Sequence, residues 1–330
     1  MTNHPSTPSQ GADGGESART RRGPAGRHHR PSEVEQALTE FADHTQQAVE
    51  AVNKRAGRDI LAATAVALGI LGVIAVSLVW CPWVFVALVA AAIAGGQIET
   101  GHVLAKHRGA HVVFVPLLIG SVLGSVGVYA MFQFGWLSPM LYWVGVLGLT
   151  AVVIMAVRLS GPIEGYVCDT TASLFLLLYP GLLATSLILI VAGPDGPARL
   201  ATFVVGVAAT DTGGYLVGVL FGKHQFAPRI SPKKSWEGVA GSVVLACVLV
   251  PLMVALVLHE QWWKGLVLAL VLVVVGIAGD LVESVIKRDV NIKDMGTLLP
   301  GHGGIMDRID GYILAGFPAW VLMSWMFNGV

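Results

Sequence analysis

Nine predominantly apolar runs, most about 20 residues long, dominate this chain, at about 60–80, 83–98, 112–133, 136–157, 172–192, 199–221, 239–258, 265–283 and 311–328. Hydrocarbon offers no partner to a bare backbone N–H or C=O, so a segment that crosses it must satisfy its own hydrogen bonds. Runs of this length do so as helices, since a barrel strand needs only about 10 residues. The expected fold is therefore all-α: a polytopic integral-membrane bundle of about nine transmembrane helices. Composition agrees. The 330 residues are 54% hydrophobic and 13% charged, against about 25% charged in soluble domains. The 83–98 run is short and reads as re-entrant or strongly tilted. The end of the 199–221 run is weakened by Asp211 and several glycines.

Residues 1–58 differ in kind. The first thirty are rich in Gly, Pro, Ser and Arg, too polar to bury a core, and are expected to form a basic, largely disordered cytosolic tail. Glu33 to Val52 has the spacing of a short helix. The first apolar run starts near Ile60, too far from Met1 for a secretory signal peptide. Residues 59–330 form the expected membrane domain. With the N-terminus in the cytosol, all but Arg199 and Lys264 of the 21 Lys and Arg lie on the inner side, as short loops require. Gly214, Gly218 and Gly222 repeat every four residues, as do Gly120 and Gly124, and such stripes let helices approach closely. Cys81, Cys168 and Cys247 show no metal-ligand spacing. The net charge is zero, and no nucleic-acid partner is expected.

Two cytosolic loops, about 222–238 and 284–310, concentrate the remaining charge. Asp280, Glu283, Ser284 and Lys287 are spaced to share one helix face. Gly301-His302-Gly303-Gly304 then precedes Asp307, Arg308 and Asp310, and a glycine turn opening a helix favours an anion. Asp280, Asp307 and Asp310 could converge where two helices meet the cytosol, as Mg²⁺ ligands or as ion-pair partners of Lys287, Arg288 and Arg308. The first loop carries Lys223, Arg229, Lys233 and Lys234 with Pro228 and Pro232, a stiff cationic segment suited to phosphates. Asp211, within an apolar helix, is a functional candidate by position alone. It marks either an intramembrane carboxylate or a break in that helix.

The run Ser284-Val-Ile-Lys287-Arg288, then Lys293-Asp294-Met-Gly296, then Leu299-Pro300-Gly-His302-Gly303-Gly304-Ile-Met-Asp307-Arg308-Ile-Asp310 resembles the signature of phosphatidate cytidylyltransferases. Asp211 to Tyr215 and Ser231 to Gly238 are similar to that family's other recurrent stretch. The resemblance covers about 199–328, the expected catalytic part. It implies a dimer with a divalent-metal site open to the cytosol. No organelle-targeting signal is evident in the sequence, so the cell's inner membrane is the expected location. CTP and phosphatidic acid are the implied substrates. Carried onto this sequence, it implies Mg²⁺ at Asp280, Asp307 and Asp310, with K⁺ as a candidate second cation. The implied catalytic residues are Asp280, Ser284, Lys287, Arg288, Asp307 and Asp310. Asp211, Lys233, Lys234, Lys293, His302, Gly303, Gly304 and Arg308 would bind substrate. Against a transporter stand the absence of an internal repeat and the gathering of these residues on one face. A CTP-dependent lipid kinase would release CDP instead of pyrophosphate.

Overall fold

The computed structural model describes residues 69, 72–78, 80–296 and 304–327. All belong to the compact unit Arg58–Val330; the expected tail over 1–58 lies outside the described residues, as does most of the 60–80 run. Residues 72–78 are helical. The helices that follow are α1 (Pro82–Arg108), α2 (Phe114–Phe134), α3 (Pro139–Leu159), α4 (Tyr166–Ala192), α5 (Gly196–Phe221), α6 (Trp236–Leu256), α7 (Trp262–Asp289) and α8 (Met306–Phe327). Among the described residues, α1 to α7 are long and apolar enough to cross a membrane. Helix α8 has 22 residues and carries its charges in its first turns. The fold is a multi-pass helical bundle.

Helix α1 corrects the expectation for the 83–98 run. It has 27 residues and continues through the polar stretch after Ala94. Hydropathy ends that run early because it assumes lipid around the helix. Here Gln97 and Thr100 are buried in protein. Gln97 Nε2 donates to Ser121 Oγ at 2.6 Å and to the Leu176 carbonyl at 3.1 Å. That carbonyl lies four residues before Pro180, which has no N–H to offer it. Helix α4 passes Pro180 in a π-helical turn, Leu177–Leu182, which moves each carbonyl's helical donor one residue on, and the Gln97 amide adds a bond from α1. Helix α5 likewise settles one alternative: it runs unbroken through Asp211.

The connection between α5 and α6 is a small antiparallel ribbon, β1 (Gln225–Ala227) with β2 (Ser231–Ser235), where the sequence suggested only a stiff loop. Pro232 is tolerated because a two-stranded ribbon has only edge strands, whose outer N–H groups need no partner. Ser235 then caps α6, its Oγ accepting the Gly238 N–H at 3.1 Å. Nearer α1, Arg158 ties the end of α3 to α4. Its Nε donates to the buried Asp169 at 2.6 Å, and Asp169 also accepts the His111 N–H at 2.7 Å. Arg108 pairs with Asp289, so α1 and α7 end on one face of the bundle, together with the ribbon and the start of α8.

Glycines set the closest helix contact. Helices α5 and α6 approach backbone to backbone: a Cβ on Gly241 would lie 2.5 Å from the Gly213 carbonyl oxygen and from Val217. Gly214 and Gly218 face Ser242, Ser235 and Gly238, as the four-residue stripe suggested. Neither backbone can yield cheaply. Gly241→Ala is therefore expected to cost about 1–3 kcal/mol, read as a lower midpoint of thermal unfolding in detergent. Gly145→Ala, where a Cβ meets nothing within 4 Å, serves as the control. Equal midpoints for the two variants would show that α5 and α6 do not meet so closely.

Candidate active site

Helices α7 and α8 also meet at glycine. A Cβ on Gly279 would lie 2.9 Å from the Asp310 carbonyl oxygen and 3.2 Å from Gly311 Cα. Asp280 follows the first of these glycines and Asp310 precedes the second. The crossing therefore sets their carboxylates together at the polar ends of two apolar helices. Asp310 also lies within electrostatic reach of Glu283, one turn along α7. Asp211, on α5, lies within electrostatic reach of Asp280, Asp310 and Lys234. It is exposed.

Two ammonium groups answer this negative charge. Lys234 reaches in from the ribbon, its Nζ donating to Asp280 Oδ2 at 2.6 Å. Lys287 donates to Glu283 Oε2 at 2.6 Å and to Asp307 Oδ1 at 3.0 Å. Asp307 is engaged further: its Oδ2 accepts the N–H groups of Met295 and Gly304, each at 2.9 Å. Of the three carboxylates expected at a metal, Asp280 and Asp310 thus face one another, while Asp307 lies beside them and grips the connection before α8.

Five carboxylates and two ammonium groups leave an excess of negative charge in a poorly solvated place, which calls for protons or a cation. Glu283 Oε1 and Tyr179 Oη are buried and find no hydrogen-bond partner among the described residues. Tyr179 sits on the π-helical turn, within electrostatic reach of Asp280, Glu283 and Asp310. No three His, Cys, Asp or Glu side chains among the described residues form a ready-made metal cage. Mg²⁺ does not require one, because it takes one or two carboxylates and fills its shell with water and substrate phosphate. The donor set therefore fits a hard cation.

The other expected site residues surround this centre. Ser284 is half-buried beside Glu283 on α7. Arg288 is exposed, and its Nε donates to the Ile230 carbonyl in the ribbon turn at 3.4 Å. Lys233, Lys293 and Arg308 are exposed. The Gly304 N–H is committed to Asp307. His302 and Gly303 lie outside the described residues. Tyr179, Tyr312 and Glu99 are additions that no motif marked. Tyr312 lies near Asp211 and Asp310, and Glu99 is taken up below. An apolar cleft of about 430 Å³ beside Arg158, Ile163 and Val167 contains none of these residues.

Lys287 is the cation on which the inner carboxylates depend, since the Glu283 side chain is 2% exposed and that of Asp307 8%. Removing one partner of a buried ion pair costs about 3–5 kcal/mol. Lys287→Met is expected to lower the unfolding midpoint accordingly, and adding Glu283→Gln should restore part of the loss. If the double variant is no more stable than the single one, the pair is not the buried contact described.

A model of the cytidylyltransferase family matches residues 61–326. A protein of Mycobacterium leprae named phosphatidate cytidylyltransferase is 40% identical over 289 residues, covering 82% of this chain and 89% of its own length. One of Mycobacterium bovis with the same name is 37% identical over 281 residues, covering 82% and 90%. A Staphylococcus epidermidis protein, also so named, is 48% identical over 106 residues, or 32% of this chain and 40% of its own. The family match runs through both the glycine crossing and the helices that support it, and the chain belongs to the cytidylyltransferase family, among the phosphatidate cytidylyltransferases.

Proposed function

We propose that this protein transfers the cytidylyl group of CTP to phosphatidic acid, giving CDP-diacylglycerol and pyrophosphate for phospholipid biosynthesis. Its relatives' names supply the reaction. The observation that carries it to these residues is the Asp280–Asp310 crossing with Lys234 and Lys287 set into it. A phosphate oxygen of the lipid attacks the α-phosphorus of CTP. The bond from that phosphorus to the bridging oxygen of the β-phosphate breaks, and pyrophosphate leaves with the electron pair. The attacking oxygen is already ionised near neutral pH, so no strong general base is needed. The barrier is one of placement and of charge.

The residues divide that work. Asp280 and Asp310, with Asp307 beside them, would hold Mg²⁺, and K⁺ is a candidate second cation. A bound divalent ion would neutralise charge on CTP and on the departing pyrophosphate. Lys234 and Lys287 are held in place by carboxylates, ready to meet phosphate oxygens as those carboxylates engage the cation. The exposed Lys233, Arg288, Lys293 and Arg308 would gather the two anionic substrates. Asp211, within electrostatic reach of Asp280 and Asp310, would help to bind them. The lipid headgroup would reach the site between helices while the acyl chains stay in the bilayer. The polar end of α7 and the basic loops belong on the cytosolic side by the positive-inside rule. The same rule supports a cytosolic N-terminus, and the apolar runs of the sequence support nine spans. A homodimer in a bacterial inner membrane, with a cytosolic tail over 1–58, completes the proposal.

The test uses purified protein with phosphatidic acid, Mg²⁺ and CTP labelled at the α-phosphate. Label is expected in the lipid, with pyrophosphate released and EDTA abolishing both. Release of CDP with no label in the lipid would replace the transferase with a kinase. Asp307→Asn should lower turnover at least about 100-fold in protein that remains folded and inserted. Full activity in that variant would remove Asp307 from the site. Deleting residues 1–50 should change kcat by less than about tenfold, or about 1.4 kcal/mol of barrier. Complete loss in well-folded protein would show that the tail takes part.

A further inference from the structure

Glu99 belongs to α1, far in sequence from the charged centre, and nothing in the proposed chemistry uses it. Its carboxylate nevertheless lies in the connection between α7 and α8. Glu99 Oε2 accepts the Met306 N–H at 3.0 Å. Met306 opens α8, and its amide is one of those a helix cannot satisfy internally. A Cβ on either Gly296 or Gly304 would collide with the Glu99 carboxyl group, so the connection lacks a side chain at both points where this group sits. The adjacent face of α1 is cleared in the same way. A Cβ on Gly95 would meet Ile305 Cδ1 at 2.5 Å, and one on Gly96 would face Met306 Sδ at 3.5 Å. The start of α8 is thus gripped twice: by Asp307 on Met295 and Gly304, and by Glu99 on Met306.

We infer that Glu99 is a positioning residue for the transfer, a latch from α1 that fixes the start of α8 and, through it, Asp307 and Asp310. The inference rests on the function proposed above for its kinetic consequence, and on geometry alone for the latch. An error of about 1 Å in placing reacting groups costs about 100-fold in rate, so a loosened connection should slow turnover before it weakens substrate binding.

Four variants test this: Glu99→Ala, Glu99→Gln, Gly296→Ala, and Glu99→Ala combined with Gly296→Ala. Glutamine keeps an acceptor for the Met306 N–H; alanine does not. Glu99→Ala is expected to lower kcat about 100-fold with KM for CTP near the parent value, and Glu99→Gln to recover most of that loss. Amide hydrogen exchange in the peptide containing Met306 should quicken in the alanine variant and much less in the glutamine variant. Gly296→Ala should be damaging alone but add little to Glu99→Ala, because the clashing carboxyl group is then gone. Unchanged kcat and exchange in Glu99→Ala would overturn the inference, as would equal losses for alanine and glutamine or strictly additive losses with Gly296→Ala. Should Glu99→Ala not fold, Glu99→Gln and the exchange behaviour of Gly296→Ala decide it. A parent protein that moves no label into lipid would sink the proposed function; the exchange result would still decide the latch.

Discussion

Two apolar helices that touch backbone to backbone give this protein its charged centre. Gly279 and Gly311 leave nothing to hold α7 and α8 apart, so Asp280 and Asp310 are forced together where water is scarce. Like charges so placed repel and lose hydration, and the arrangement persists only if cations compensate them. Lys234 and Lys287 do part of this from a ribbon and from the next turn of α7. The remaining excess is what suits the place to a metal ion and to phosphates bound through one. The rest of the bundle can be read as the support this crossing requires.

That support follows one rule: a polar group within a bilayer protein must find its partner inside the protein. Gln97 donates to the Leu176 carbonyl beside the π-helical turn at Pro180. Asp169 is neutralised by Arg158 and an amide at the start of α2. Ser242, on α6, donates to the Thr210 carbonyl of α5 beside Asp211 at 2.6 Å. Each of these bonds joins two or more helices, so each also fixes their relative position. Glycine pairs allow the approach, and buried hydrogen bonds set the register.

Much of the centre was legible because its residues lie on one helix or in one short motif. The spacing of Asp280, Glu283 and Lys287 showed a shared face, and α7 does extend through all three. The positions of Asp307 and Asp310 at a helix start could be read the same way. The glycine stripe of α5 announced a close contact, though not that α6 would supply its other half. Harder to read were features that depend on distant pairing. The polar half of α1 looked like the end of an apolar run because hydropathy cannot know that Gln97 and Thr100 face protein. Glu99 meets Met306 across 207 positions, and no local pattern marks such a contact. Tyr179 approaches the carboxylates from the π-helical turn at Pro180, an irregularity that apolar periodicity does not reveal. The ribbon is hard to read from sequence because two prolines disfavour strands in general, though not a lone pair of edge strands.

Whether the glycine crossing sets the geometry of the centre is tested most directly by the turnover of a Gly279→Val variant. The substitution leaves every charged residue in place and only pushes α7 from α8. Protein that inserts and folds but turns over at least about 100-fold more slowly, with Mg²⁺ and both substrates saturating, is the predicted result. Turnover equal to the parent's would mean that Asp280 and Asp310 need not be held together, and would contradict the account.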